Sequence, residues 1–360
     1  MTMIDGSGQP PTVAARRMRR RAATLATSSW IAAASLVAAL LAAGARPGAA
    51  GGATTSPAGD TAAVAPGDTA FASLNLIMTQ STEGELTPCR TCGHGSGGLA
   101  RRAAFIRTCR DTADYVLLAD GGNFRTLGGL VDQERDRFLL GVMEELGYTT
   151  IGIGEKDLRF GVDALRELFE DSAIVPVSAN ILDAASGEPV FAPYHVVEVG
   201  PIRVGFTGFL EPQVWEPYQE LVPEVRVVEP VAALEPVLAE LDARCELVVA
   251  FCQAHYVRVR PVLEQLEGLD IALLALRPPP RNYPRRIGSV EQVFYSGYGG
   301  RFMTWSRIEI RPGEARIRAG KVHTMMLGAP EDAGIRQRVS EFLGVEDPGD
   351  PAEMVSPGGG

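Results

Sequence analysis

The stretch SANILDAASGEPVFAPYHVVEVGPIRVGFTG, Ser178–Gly208, is where the chain changes character. Its second half holds two runs of strand-forming residues, Tyr194–Val199 and Ile202–Gly208, separated by Gly200-Pro201. A Gly-Pro pair between such runs predicts a β-hairpin. Upstream, short apolar runs alternate with amphipathic segments. Strands are predicted at Ser73–Met78, Tyr115–Ala119, Thr150–Ile153 and Ile174–Ser178, and helices at Leu99–Arg110, Arg135–Leu146 and Val162–Phe169. In Arg135–Leu146, Phe138, Leu139, Val142, Met143 and Leu146 fall at helical spacing, and Gly147 stops the helix.

Downstream the alternation resumes, with helices predicted at Val231–Asp242 and Val259–Leu266 and strands at Glu246–Phe251 and Ile271–Leu276. From Gln292 the chain reads as all-β until a closing helix at Ala333–Leu343. Strand–helix alternation followed by antiparallel strands predicts an α/β fold of two packed mixed β-sheets flanked by helices.

The composition, 46% hydrophobic and 22% charged, is that of an ordinary globular protein. The first 68 residues differ: six Arg and three Asp give them a net +3, which leaves −13 for the remainder of a chain that totals −10. An acidic body excludes nucleic acid as the expected partner, because phosphate binding needs a basic face. Arg16–Arg21 followed by the apolar run Trp30–Ala45 reads as an export signal or N-terminal membrane anchor over 1–45. Residues 46–70, rich in Ala, Gly, Pro and Thr, read as a flexible linker. The domain is expected over 71–345 and a disordered tail over 346–360. The expected location is exported: periplasmic, extracellular or membrane-tethered.

The first predicted strand runs into a long loop, MTQSTEGELTPCRTCGHGSGGLARR, Met78–Arg102. A strand, an irregular loop and a helix start are where α/β domains place their chemistry. Cys89-x-x-Cys92 reads either as a structural disulfide or as a redox pair. Heme attachment is excluded because Gly93 separates Cys92 from His94, and zinc would need a second ligand pair. Arg277, Arg281, Arg285 and Arg286 form a basic loop that reads as a solvated face or as a site for an anion or acidic partner. His195 and His323 read as core or surface residues, and Trp305 as core.

Several strings resemble, in family order, the exported 5′-nucleotidase (UshA-like) branch of the calcineurin-like metallophosphoesterases. They are GGLARRA (97–103), VLLADGGNF (116–124), IGIGEKD (151–157), the 177–209 segment around the opening stretch, LVVAF (247–251), GLDIALL (268–274) and VFYSGYGGRFMTWSRIEI (293–310). The resemblance implies a four-layer αββα sandwich with two metal ions at the strand ends, which polarise a phosphoryl group and activate water. The family's ligand motifs are altered here. D-x-H falls on Ser81-Thr82-Glu83, and the bridging Asp on Asn123. G-N-H-E falls on Gly154-Glu155-Lys156-Asp157, and the lone His on Cys252 or, by a slide, His255. G-H-x-H falls on Ala275-Leu276-Arg277-Pro278.

Ser81, Glu83, Asn123, Glu155 and Cys252 are therefore expected as vestigial metal positions, with no confident catalytic residue. The expectation is a degenerate pseudoenzyme that binds a ligand or envelope protein and needs no cofactor. The alternatives are a divergent hydrolase with a remodelled site holding Mn, Zn or Mg, and a thiol redox protein using Cys89 and Cys92. After Leu343 only a tail remains, so the nucleotide-binding domain of larger family members is not expected in this chain.

Overall fold

The computed structural model describes residues 71–89, 95–126, 133–275, 281–295 and 297–346. The expected export segment, the linker, Cys92, His94, Leu276, Arg277, Pro278 and, but for Glu346, the tail lie outside the described residues.

The chain enters on β1 (Ala72–Thr79) and passes through α1 (Leu99–Arg110), β2 (Tyr115–Asp120), α2 (Gln133–Glu145), β3 (Tyr148–Gly152), the one-turn α3 (Glu155–Leu158), α4 (Val162–Phe169) and β4 (Val175–Val177). There follow β5 (Ile181–Asp183), the hairpin β6 (Tyr194–Val199) and β7 (Ile202–Leu210), the short α5 (Pro212–Trp215) and β8 (Val225–Val227). The chain continues through α6 (Pro230–Arg244), β9 (Leu247–Gln253), α7 (Tyr256–Gln265), β10 (Ile271–Leu274), β11 (Arg285–Ile287), β12 (Val290–Tyr295), β13 (Phe302–Arg311), β14 (Glu314–Thr324) and α8 (Ala333–Leu343).

Two six-stranded sheets form, ordered β14-β13-β1-β2-β3-β4 and β11-β12-β10-β9-β7-β6. Strands β1 to β4 are parallel, as are β7, β9, β10 and β12; β13 and β14 add antiparallel pairing on one side of the first sheet, and β11 and β6 at the two edges of the second. The layering follows from period-two alternation. Leu74, Leu76 and Met78 of β1 meet Phe206, Val249, Phe251 and Leu273 of the second sheet in a core between the sheets. Ile77, Leu118 and Ile151 point the other way, into a core with Leu99, Ala103, Leu139 and Leu165. Val248 and Ala250 of β9 pack outward against Leu234, Leu238, Val259 and Leu263. The result is the predicted αββα arrangement.

The hairpin around Gly200-Pro201 forms as predicted. The small antiparallel ribbon β5–β8 and the one-turn helices α3 and α5 do not follow from the sequence pattern, because elements of three or four residues show no periodicity. Trp305 is partly buried and donates its ring N–H to Asn75 Oδ1 at 3.0 Å. His195 is half-buried, with Nδ1 2.9 Å from Thr150 Oγ1, and the His323 ring lies tilted against Phe105 with centroids 4.8 Å apart. Among the described residues, no helix is long and apolar enough to cross a membrane.

Candidate functional site

The parallel strands of both sheets bring their C-terminal ends to one place. Gln80, just past β1, donates its side-chain N–H to Leu274 O at the end of β10. Ser81 Oγ lies 3.3 Å from Ala275 O. Gln253, the last residue of β9, donates to Gly121 O beyond β2. Strand ends of this kind leave backbone groups and loop side chains free to face a ligand.

The backbone here is forced into an uncommon shape. Among the described residues, the non-glycine residues with positive φ are Ser81 (46°), Glu83 (55°) and Asn123 (55°). A left-handed conformation costs an L-residue about 1–2 kcal/mol, and such strain persists only where surrounding contacts fix it. Those contacts are present. Ser81 N donates to Gly122 O at 2.7 Å, Glu83 N to Asn123 O at 3.1 Å and Gly84 N to Phe124 O at 2.7 Å, zipping the two loops together. Gly154 allows the close approach of Asn123, since a Cβ there would lie 2.1 Å from Asn123 Oδ1.

Asn123 is the hub. Its side-chain N–H group donates to Glu155 Oε2 at 3.0 Å and to Gln253 Oε1 at 3.2 Å, and its carbonyl accepts the Lys156 backbone N–H at 3.0 Å. The Lys156 ammonium is paired with the Glu83 carboxylate, both partly shielded from water. Beneath the hub, Asp157 is fully buried and accepts N–H groups from Asn123 (2.6 Å) and Gly154 (2.9 Å) on one oxygen, and from Phe124 (3.0 Å) and Arg125 (3.4 Å) on the other. Burial pushes its carboxyl up to about 7, against the pull of those donors. Asp120, at the end of β2, is pushed up to about 6 by burial while Thr79 and the Gly122 N–H hold it back.

The structure therefore brings Ser81, Glu83, Asn123 and Glu155 together. It places Cys252 elsewhere, which corrects the sequence-based expectation. Cys252 packs with Ala254, Val259 and Leu274 in the outer core, its Sγ is 3.8 Å from Ala250 O, and burial pushes its thiol far above the ordinary range. The next residue, Gln253, faces the site instead, because successive strand residues point to opposite sides. The alternation Leu247, Val249, Phe251 carried that signal. Gln80 and the Glu83–Lys156 pairing were also missed. Cys89 is half-buried, with its backbone N–H on Ser96 O at 2.8 Å.

No family model matches the chain. A 2′,3′-cyclic-nucleotide 2′-phosphodiesterase/3′-nucleotidase of Yersinia enterocolitica is 25% identical over 312 residues, covering 69% of this chain and 47% of that protein. The chain thus spans about half the length of this curated relative. A 5′-nucleotidase of Vibrio cholerae is 29% identical over 122 residues, 32% of this chain and 22% of that one. Among solved structures, a 5′-nucleotidase precursor from Thermus thermophilus superposes with a TM-score of 0.63 at 22% identity, over 76% of this chain and 58% of that one. A calcineurin-like phosphoesterase from Bacillus subtilis gives 0.62 at 17% identity, over 75% and 96%. The chain has the calcineurin-like phosphoesterase fold. Its homologues are cyclic-nucleotide phosphodiesterase/3′-nucleotidases and 5′-nucleotidases.

One expectation is overturned by these homologues. From the altered motifs no cofactor is expected, yet the homologous phosphoesterases are metal-dependent. Altered motif letters do not remove the oxygen donors that hard cations prefer, and Glu83, Glu155, Asn123 and Gln253 still offer them. As arranged, however, these residues do not fit a dinuclear phosphoesterase centre. Asn123 presents an N–H donor to Glu155 and Gln253 where the bridging carboxylate is expected, and the Lys156 ammonium is held on Glu83. Among the described residues, no group of three or more His, Cys, Asp or Glu is placed to hold a metal ion.

Proposed function

We propose that this chain is an exported phosphoesterase-fold protein that binds a ligand or an envelope partner at its strand ends without hydrolysing phosphoesters. The observation that carries the proposal is the Asn123 hub, whose amide donates to Glu155 at 3.0 Å and Gln253 at 3.2 Å while Lys156 closes on Glu83. Two-metal hydrolysis relies on ions clamping the attacking and leaving oxygens. A neutral amide supplies no anionic bridge, and an ammonium beside it repels a second cation. Export is supported by the basic Arg16–Arg21 segment and the apolar Trp30–Ala45 run behind it.

The competing reading is a divergent metal-dependent hydrolase. It draws on the metal dependence of the homologues and on the carboxylates of Glu83 and Glu155. The two part in one experiment. Purified protein is given bis-p-nitrophenyl phosphate, p-nitrophenyl phosphate or a 2′,3′-cyclic nucleotide, each with Mn²⁺, Mg²⁺ or Zn²⁺ supplied. Turnover at the blank rate is expected throughout. A rate that rises with added Mn²⁺ and disappears in Glu155→Ala sinks the proposal in favour of hydrolysis.

A further inference from the structure

The outer edge of the second sheet carries a surface that the strand-end network does not use. Arg285, on the edge strand β11, lies opposite Val293 of β12, two residues from Tyr295. Both side chains fall on the α7 side of the sheet. There the Tyr256 ring, at the first residue of α7, meets Tyr295 edge-on with centroids 5.3 Å apart. The Arg281 guanidinium lies over the Tyr295 ring, 5.9 Å from its centroid. Arg260, one helical turn beyond Tyr256, also bears on Tyr295, as does Arg285. Three guanidiniums thus gather around a pair of edge-to-face tyrosines.

Only part of that charge is compensated. Arg260 is paired with Glu264 at 2.8 Å. Arg281 and Arg285, both exposed, make no ion pair among the described residues. The surface is also unusually apolar for an edge, with Tyr256 45% and Val257 76% exposed. It sits on a body whose residues after 68 carry a net −13, so a basic cluster here stands against the charge of the whole. A small ion would use the guanidiniums and leave the tyrosine and valine wet. Tyr and Arg together are the residue types that dominate protein–protein binding energy.

We infer that this edge docks an acidic protein segment carrying aromatic or apolar side chains among its carboxylates. The docking is independent of hydrolysis at the strand ends, so the phosphoesterase assay and the binding assay fail separately.

The test uses the full chain and a fluorescein-labelled peptide of repeated Glu-Asp-Phe, with a Lys-Lys-Phe repeat as the charge-reversed control, read by fluorescence anisotropy. The acidic peptide binds at low salt and weakens toward ~0.15 M, where exposed charges are screened beyond about 8 Å. Arg281→Glu with Arg285→Glu weakens it about tenfold or more, and Tyr256→Ala about fivefold, each with an unchanged circular dichroism spectrum. Arg16–Arg21 remain in every variant, so binding that survives the double reversal belongs to them and overturns the inference. Equal binding of the two peptides overturns it as well. Phosphatidylglycerol vesicles that retain the wild type and release the double variant, with the acidic peptide ignored, assign the surface to lipid and overturn the protein partner.

Discussion

Asp157→Asn is the sharpest probe of the strand-end network. The carboxylate spreads four backbone N–H groups over two oxygens, at 2.6 and 2.9 Å on one and 3.0 and 3.4 Å on the other. An asparagine keeps one oxygen and turns an NH₂ toward the remaining donors. With its oxygen on the shorter pair, the Phe124 and Arg125 N–H groups lose their acceptor in a fully buried setting. Each orphaned donor costs about 1–3 kcal/mol, so about 2–6 kcal/mol is expected in all. At roughly 2–4 °C per kcal/mol for a domain of this size, thermal unfolding at pH 8 should fall by about 4–24 °C. The pH dependence adds a second check. The folded-state carboxyl is raised to about 7 by burial, so the folded state holds more protons than the unfolded one between the ordinary Asp range and that value. The contribution of Asp157 is therefore full below about pH 4 and is lost as pH rises through about 7. The variant lacks this titration, so its deficit should grow as pH is lowered from 7, by at most about 1.4 kcal/mol per unit. A deficit under about 0.5 kcal/mol, or one that shrinks on acidification, refutes the reasoning.

Two other outcomes are expected. Lys156→Met and Glu83→Gln should each destabilise by about 1–3 kcal/mol, because each leaves the other charge partly buried and unpaired. The double variant should cost less than their sum, as measured by urea unfolding. Cys252 should resist Ellman's reagent in the folded protein and react only on unfolding, since burial raises its thiol and packs it in the outer core. Rapid modification at neutral pH would put it back at the surface of the site.

The layers of this fold are legible because alternation is a strong local signal. Leu74, Leu76 and Met78 facing one way and Ile77 the other already separate the inner core from the outer one. The site is less legible, for two reasons. A one-residue slip reverses the face of every side chain in a strand, and that slip separates Cys252 from Gln253. The Glu83–Lys156 pair joins residues 73 apart in the chain, a closure that the order of the sheets makes and no local pattern announces. The ribbon β5–β8 was hidden in the same way, its two three-residue strands finding each other only through the folded core.

The left-handed turns at Ser81, Glu83 and Asn123 fix the direction of three Cα–Cβ bonds before any side-chain chemistry is chosen. Their energetic burden is offset by main-chain hydrogen bonds between neighbouring loops, which a change of side chain at those positions leaves in place. Aim and chemistry are thereby separable in this protein. Residues can be exchanged at these positions while the scaffold goes on pointing them at a common centre, so one fold can drift from one set of groups to another without passing through an unfolded intermediate sequence.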